Sequence, residues 1–179
     1  MIAYAITDPT TLNFQTLSTD LQRFSNNADM IVYRDKSTHT YAQNAKRFIT
    51  EAKKYPFNKV LLHSNVTLAY QLKADGIHLT SIQFSKIEEA KKLGLFVVIS
   101  THTLQEAKRA EILGADMITF SAIFKTPNKG EPKGVAVLQE VVTKLSLPVI
   151  ALGGIVTAEH IDQCEQSGAG GFASIRYFG

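Results

Sequence analysis

The chain reads as an α/β protein, a pared-down (β/α)8 barrel, and three observations predict this. Eight β-like runs are separated by seven helical patterns. The runs are rich in Val, Ile, Leu and Phe with little polar alternation, as suits a parallel sheet covered by helices. Several helical stretches end in a small-residue turn that leads directly into the next run. Eight strands alternating with helices close into a barrel. An open, doubly wound sheet uses the same units and is the alternative. The length of 179 residues is short against the roughly 250 of a typical barrel.

In chain order, strands are predicted at IAYAIT (2–7), DMIVYR (29–34), KVLLHS (59–64), GIHLT (76–80), FVVIST (96–101), MITFSAIF (117–124), PVIALGG (148–154) and GFASIRYF (171–178). Between them, helical patterns cover roughly 12–24, 40–54, 65–73, 83–93, 104–113, 135–145 and 157–167. Small-residue turns at KADG (73–76), KKLG (91–94), LGAD (113–116) and SGAGG (167–171) close the third, fourth, fifth and seventh helices. Thr157 is placed to cap the seventh. No helical pattern follows the eighth run, so an apolar groove is expected between helices one and seven, and a homodimer that covers it.

Residues 1–179 are expected to form one domain. The net charge of +3 is mild and the lysines form no dense run, which argues against a nucleic-acid partner. No run approaches the roughly 20 apolar residues of a membrane span. The start, MIAYAITDPT, enters a strand without a basic leader pattern, so a cytoplasmic location and no membrane partner are expected. The single cysteine, Cys164, excludes an internal disulfide framework and reads as a bystander.

In a barrel the site lies at the C-terminal strand ends. That rim gathers Arg34, Lys36, Lys125, Lys129, Lys133 and Arg176, with few acids (Asp8, Asp35, Glu131). Such a balance favours an anionic, phosphate-bearing ligand, the alternative being a solvated lysine surface. Gly153 and Gly154 end the seventh strand just before a helix start, where backbone N–H groups can hold an anion; a tight turn without ligand is the other reading.

The ordered set YRDK, GIHL, STHT, FSAIFKTPNK, PVIALGGI and GAGGFASI resembles the thiamine-phosphate synthase/TenI family along essentially the whole chain. The resemblance implies a (β/α)8 barrel of the thiamine pathway that binds a hydroxyethylthiazole phosphate; synthases also take a pyrimidine diphosphate and Mg²⁺. It carries ligand-binding roles onto Arg34, Lys36, Ser100, Thr101 and Lys129, and thiazole-phosphate contacts onto Gly153, Gly154, Ser174 and Ile175.

Departures from the family pattern matter as much. The synthase Asn-Asp-Arg after the third strand is His63-Ser64-Asn65 here, and the second metal aspartate aligns near Gln83. A glutamine before the second-strand arginine is Val32, and the histidine proposed as base in TenI-type tautomerases is Ala122. Mg²⁺ wants carboxylate oxygens, so no metal or cofactor is expected unless synthase chemistry holds. His63 and His102 are the candidate acid/base residues, with His78 a third histidine facing the pocket. His63 is the unusual one, and its other reading is structural. His39 and His160 read as surface residues. The first expectation is a metal-independent thiazole tautomerase, an isomerase. Its rivals are a thiamine-phosphate synthase, a transferase, and a non-catalytic phosphate-ligand-binding or regulatory family member.

Overall fold

A computed structural model describes all residues, Met1–Gly179. Eight parallel strands close into a barrel in sequence order: β1 (Ile2–Ile6), β2 (Met30–Tyr33), β3 (Lys59–His63), β4 (Gly76–Leu79), β5 (Phe96–Thr101), β6 (Met117–Phe120), β7 (Val149–Leu152) and β8 (Gly171–Ser174). Pairing of Ile2 with Gly171 through Ala5 with Ser174 seals β1 to β8, which excludes the open sheet. The helices are α1 (Leu17–Ser25), α2 (Tyr41–Ala52), α3 (Val66–Gln71), α4 (Ile87–Lys92, entered through a 3₁₀ turn at Phe84–Lys86), α5 (Leu104–Leu113), α6 (Gly134–Thr143) and α7 (Ala158–Gln166). No helix is long and apolar enough to cross a membrane.

Side-chain alternation splits the core into two. Residues facing outward, such as Ile31, Leu62, Ile77, Val97 and Phe120, meet the helices in one large cluster. Residues facing inward, Tyr4, Ile6, Met30, Val32, Leu61, Val98, Met117, Ile150 and Ala173, fill the barrel axis. That plug occupies the lower barrel, so any ligand space lies above it.

The N-terminal end of the barrel carries a repeated clamp. Asp29 accepts the N–H of Ala3 at 2.8 Å, Asp75 that of Val60 at 2.7 Å and Asp116 that of Val97 at 2.8 Å. Each aspartate precedes an even strand and grips the odd strand before it. Each also donates its own N–H to the same strand, to Ala3, Val60 and Val97 in turn. The fourth equivalent is Gly170, whose N–H reaches Val149 O with no carboxylate to add.

Three elements begin or end away from the expected positions. Helix α1 begins at Leu17 rather than near 12, because Asp8 and Asn13 take the N–H groups of Thr10 and Gln15 at 2.9 Å and hold the chain in turns. Strand β6 stops at Phe120 because Ile123 and Phe124 turn their N–H groups to Leu152 and Gly153. Strand β8 stops at Ser174, whose hydroxyl accepts the N–H of Tyr177 at 3.1 Å. The tail then folds back: Phe178 stacks on Phe172 and is buried, and Arg23 donates to its carbonyl at 2.5 Å. The chain's own tail thus takes up part of the groove on which the expected homodimer depends. Cys164 lies fully buried on α7, with its thiol pushed up to about 11 by burial.

Candidate active site

The strand alternation that seats apolar groups low in the barrel seats polar ones at its C-terminal mouth. Two residues beyond Val32 comes Arg34, beyond Leu61 comes His63, and beyond Val98 come Ser100 and His102. These side chains line a cavity of about 510 Å³ together with Lys36, Lys129, Arg176 and the β7 and β8 turns. That volume suits a small ligand.

One wall is a backbone cradle. Gly153, Gly154, Ser174 and Ile175 all line the cavity. The N–H groups of Gly153, Gly154, Ile155, Ile175 and Arg176 donate to no group of the protein. Amide groups left free beside the start of a helix form a site for an anion. Thr157 caps that helix by accepting the N–H of His160 at 3.2 Å.

The glycine pair serves packing first. Gly153 has φ +102°, and a Cβ there would stand 2.7 Å from Ala122 Cα; Gly154 has φ +71°, and its Cβ would meet Lys125 O at 2.6 Å. Only glycines let the β6 loop lie on this turn. A valine at position 153 would strike the backbone of the β6 loop before any ligand arrives.

The opposite side is cationic. Arg34, Lys36 and Lys129 line the mouth, and no residue of this group forms an ion pair. Lys36 is held below the usual lysine range by Arg34 first, then by partial burial and Lys129. Three such cations gain from a shared anion. Lys125 and Lys133 lie outside the cavity wall; the Lys133 ammonium sits 5.8 Å from the Phe120 ring centre. The rim thus keeps four of the six expected cations.

The histidines differ sharply. Burial pushes His63 down to about 4, with Arg34 and Lys36 adding to the effect, so its ring is neutral at pH 7. Its backbone N–H donates to the Tyr41 hydroxyl at 3.1 Å, while its ring makes no hydrogen bond within the protein. His102 holds Nδ1 3.2 Å from both the carbonyl and the hydroxyl of Ser121. The carbonyl only accepts, whereas the hydroxyl can donate or accept, and Nε2 makes no hydrogen bond within the protein. His78 is buried, bonded at both ring nitrogens and pushed down to about 3 by burial, then by His63 and Arg34. His39 is exposed, whereas His160 is half-buried with its ring stacked 4.2 Å from that of Phe124.

Two predicted site residues fall on the wrong parity. Thr101 faces outward: it is fully buried, and its hydroxyl donates to Thr119 O at 2.9 Å. It does not line the cavity, so its predicted ligand contact is corrected. Ser174 also turns its hydroxyl away, donating to Ile155 O at 2.7 Å, and faces the cavity only as a buried part of the β8 turn. Ser121, Thr80 and Asp8 line the mouth; of these the sequence analysis names only Asp8, as a rim acid without a site role. Their signal was the two-residue step from Thr119, His78 and Ile6.

The residues present do not fit the Mg²⁺ that synthase chemistry implies. Gln83 donates its side-chain amide to Ser64 O at 3.0 Å, and its amide oxygen accepts the Thr80 N–H at 3.0 Å. The two aspartate positions are thus neutral and bonded to one another. Among the lining groups Asp8 is the lone carboxylate, and it is engaged by Thr10.

Comparison with known proteins agrees with this architecture. The family model described as thiamine monophosphate synthase matches residues 3–178. A protein of Aquifex aeolicus named putative thiamine-phosphate synthase 2 is 36% identical over 98% of this chain and 96% of its own length. The thiamine-phosphate synthase of Nitrosococcus oceani is 32% identical over 96% of this chain and 82% of its own. Among solved structures, the thiamine phosphate pyrophosphorylase of Pyrococcus furiosus superposes with a TM-score of 0.80 at 25% identity, covering 97% of this chain and 85% of that one. With the family model running from the first strand to the C-terminal tail, the chain belongs to the thiamine monophosphate synthase family.

Proposed function

We propose that the mouth binds a small phosphorylated thiazole and moves a proton on its ring without a metal, as a thiazole tautomerase does. The observation that carries this reading is the pairing of two walls. Five free N–H groups and the β7 and β8 turns offer a seat for a phosphate. Across the mouth stand two imidazoles: His63, neutral at pH 7, and His102, whose Nε2 makes no hydrogen bond within the protein.

In this reading the phosphate sits on the Gly153–Gly154 and Ser174–Ile175 turns. Arg34, Lys36 and Lys129 draw in the remaining negative charge of the ligand. That charge offsets the cations beside His63, so its ring becomes more basic when the ligand binds. A neutral imidazole then takes a proton from a ring carbon and returns it at another position. His102, whose Nε2 makes no hydrogen bond within the protein, is the second candidate acceptor.

A coupling reaction of a pyrimidine diphosphate with the thiazole phosphate is the second reading, favoured by the names of the relatives. The neutral Ser64–Gln83 bridge weighs against it. Proton exchange on the thiazole, followed by NMR, decides the first reading. His63→Ala is expected to lower that exchange about 10²–10⁴-fold with ligand affinity nearly unchanged. Exchange that is absent from wild type, or unchanged in the variant, would sink the proton-transfer role. An Mg²⁺-dependent coupling assay tests the second.

A further inference from the structure

Beneath the cavity, three polar side chains from three strands form one hydrogen-bonded chain. The Tyr4 hydroxyl on β1 lies 2.8 Å from Nδ1 of His78 on β4. Nε2 of His78 lies 3.0 Å from the Ser100 hydroxyl on β5, and Ser100 borders the cavity. Tyr4 is fully buried among Ile6, Met30 and the rest of the apolar plug, and its hydroxyl has no other polar partner.

That dead end sets the direction of the chain. If His78 carried its proton on Nδ1, it would donate to Tyr4, and the phenolic proton would be buried with no acceptor. An unmade buried hydrogen bond costs about 1–3 kcal/mol. In the opposite sense every group is satisfied: Tyr4 donates to Nδ1, and Nε2–H donates to the Ser100 oxygen. The Ser100 proton is then left to point upward.

We propose that Tyr4 and His78 are positioning residues that lock the His78 tautomer and thereby make Ser100 a committed hydrogen-bond donor to an anionic oxygen of the ligand. Burial keeps both members neutral, raising the Tyr4 phenol well above its usual range and lowering His78. The lock rests on the anionic-ligand reading only for what Ser100 meets; the tautomer itself is a property of the free protein.

Nitrogen-15 NMR of the ligand-free protein tests the lock directly. His78 is expected with Nε2 protonated and Nδ1 bare near neutral pH, and a proton on Nδ1 would overturn the proposal. Calorimetry with inorganic pyrophosphate as probe tests the consequence. Ser100→Ala should weaken binding about tenfold. Tyr4→Phe keeps the ring and removes the lock; it should mix the two His78 tautomers and weaken binding about threefold. On the Ser100→Ala background Tyr4→Phe should cost nothing further. Independent, additive losses would make Tyr4 merely structural and refute the relay. A wild type that binds no pyrophosphate would refute the anionic site, and the NMR pattern would still decide the tautomer.

Discussion

The two ends of the barrel use charge in opposite ways. At the N-terminal end, Asp29, Asp75 and Asp116 each hold a backbone N–H of the neighbouring strand. At the mouth, Arg34, Lys36, Lys129 and Arg176 border the cavity without an ion pair among them. The same division runs along the axis. Leu61 and Val98 are fully buried in the plug, and two residues later His63 and Ser100 are part of the cavity wall. Groups that have found partners build stability, and groups left without them are available to a ligand.

The strongest way to break this contrast is to cut into the plug. Leu61→Ala should destabilise the fold by about 2–5 kcal/mol, read by denaturant unfolding, while the folded fraction binds anions as before. Equal loss of affinity per folded molecule would show that plug and mouth are not separable.

The glycine turn is where the two roles meet. Gly153→Ala is expected to cost about 1–3 kcal/mol, because the new methyl must sit at a positive φ against Ala122. Anion affinity should fall with it. Loss of affinity at full stability would return the glycine to a purely ligand-facing role.

Titration sharpens the comparison from the mouth side. His63 and His78 stay neutral in the folded barrel down to about 4 and about 3, against 6.5 for a free imidazole. The unfolded chain therefore binds their protons first as pH falls. Stability should be full above about pH 6.5 and decline below it, through about pH 4 for His63 and about pH 3 for His78. Arg34→Ala should raise the His63 midpoint seen by NMR, since it removes the larger of the two charges acting on it. A midpoint unmoved by that change would leave burial and Lys36 as the causes.

The smallest expected effect extends the lower end. Gly170→Asp places a carboxylate at the fourth clamp position and should stabilise by about 0.5–1 kcal/mol. A new Cβ there would lie 3.2 Å from Pro148 Cβ, so that ring must yield slightly. A lower unfolding midpoint would mean that it does not.

Much of this was legible in the sequence, and the failures have physical causes. All eight strands and the barrel followed from apolar runs and turn residues, because those patterns are local. Thr101 was misassigned and Ser174 half-assigned, since grouping residues by motif ignores that neighbours on a strand face opposite sides. The Gly153–Gly154 pair suggested a ligand because its real neighbour, the β6 loop, is about 30 residues away in sequence and met only in the fold. Nothing local in the run IAYAIT marks Tyr4; its meaning depends on His78, three strands further along. The Ala-Asp pairs at 28–29, 74–75 and 115–116, answered by Ala169-Gly170, were visible as text. The last three were read only as turn residues, and Asp29 only as the start of the second strand.

Those pairs divide the barrel into quarters, each made of an odd strand and the even strand after it. Three quarters are riveted at the base by a carboxylate, and the last, β7 with β8, is joined there by backbone alone. Local opening begins where the fewest bonds must break. Amide exchange should therefore be fastest in the final quarter, ahead of the other three. This is also the quarter that carries the cradle of free N–H groups. A bound anion would then act as the missing rivet at the other end of the same two strands, slowing their exchange far more than that of the first six.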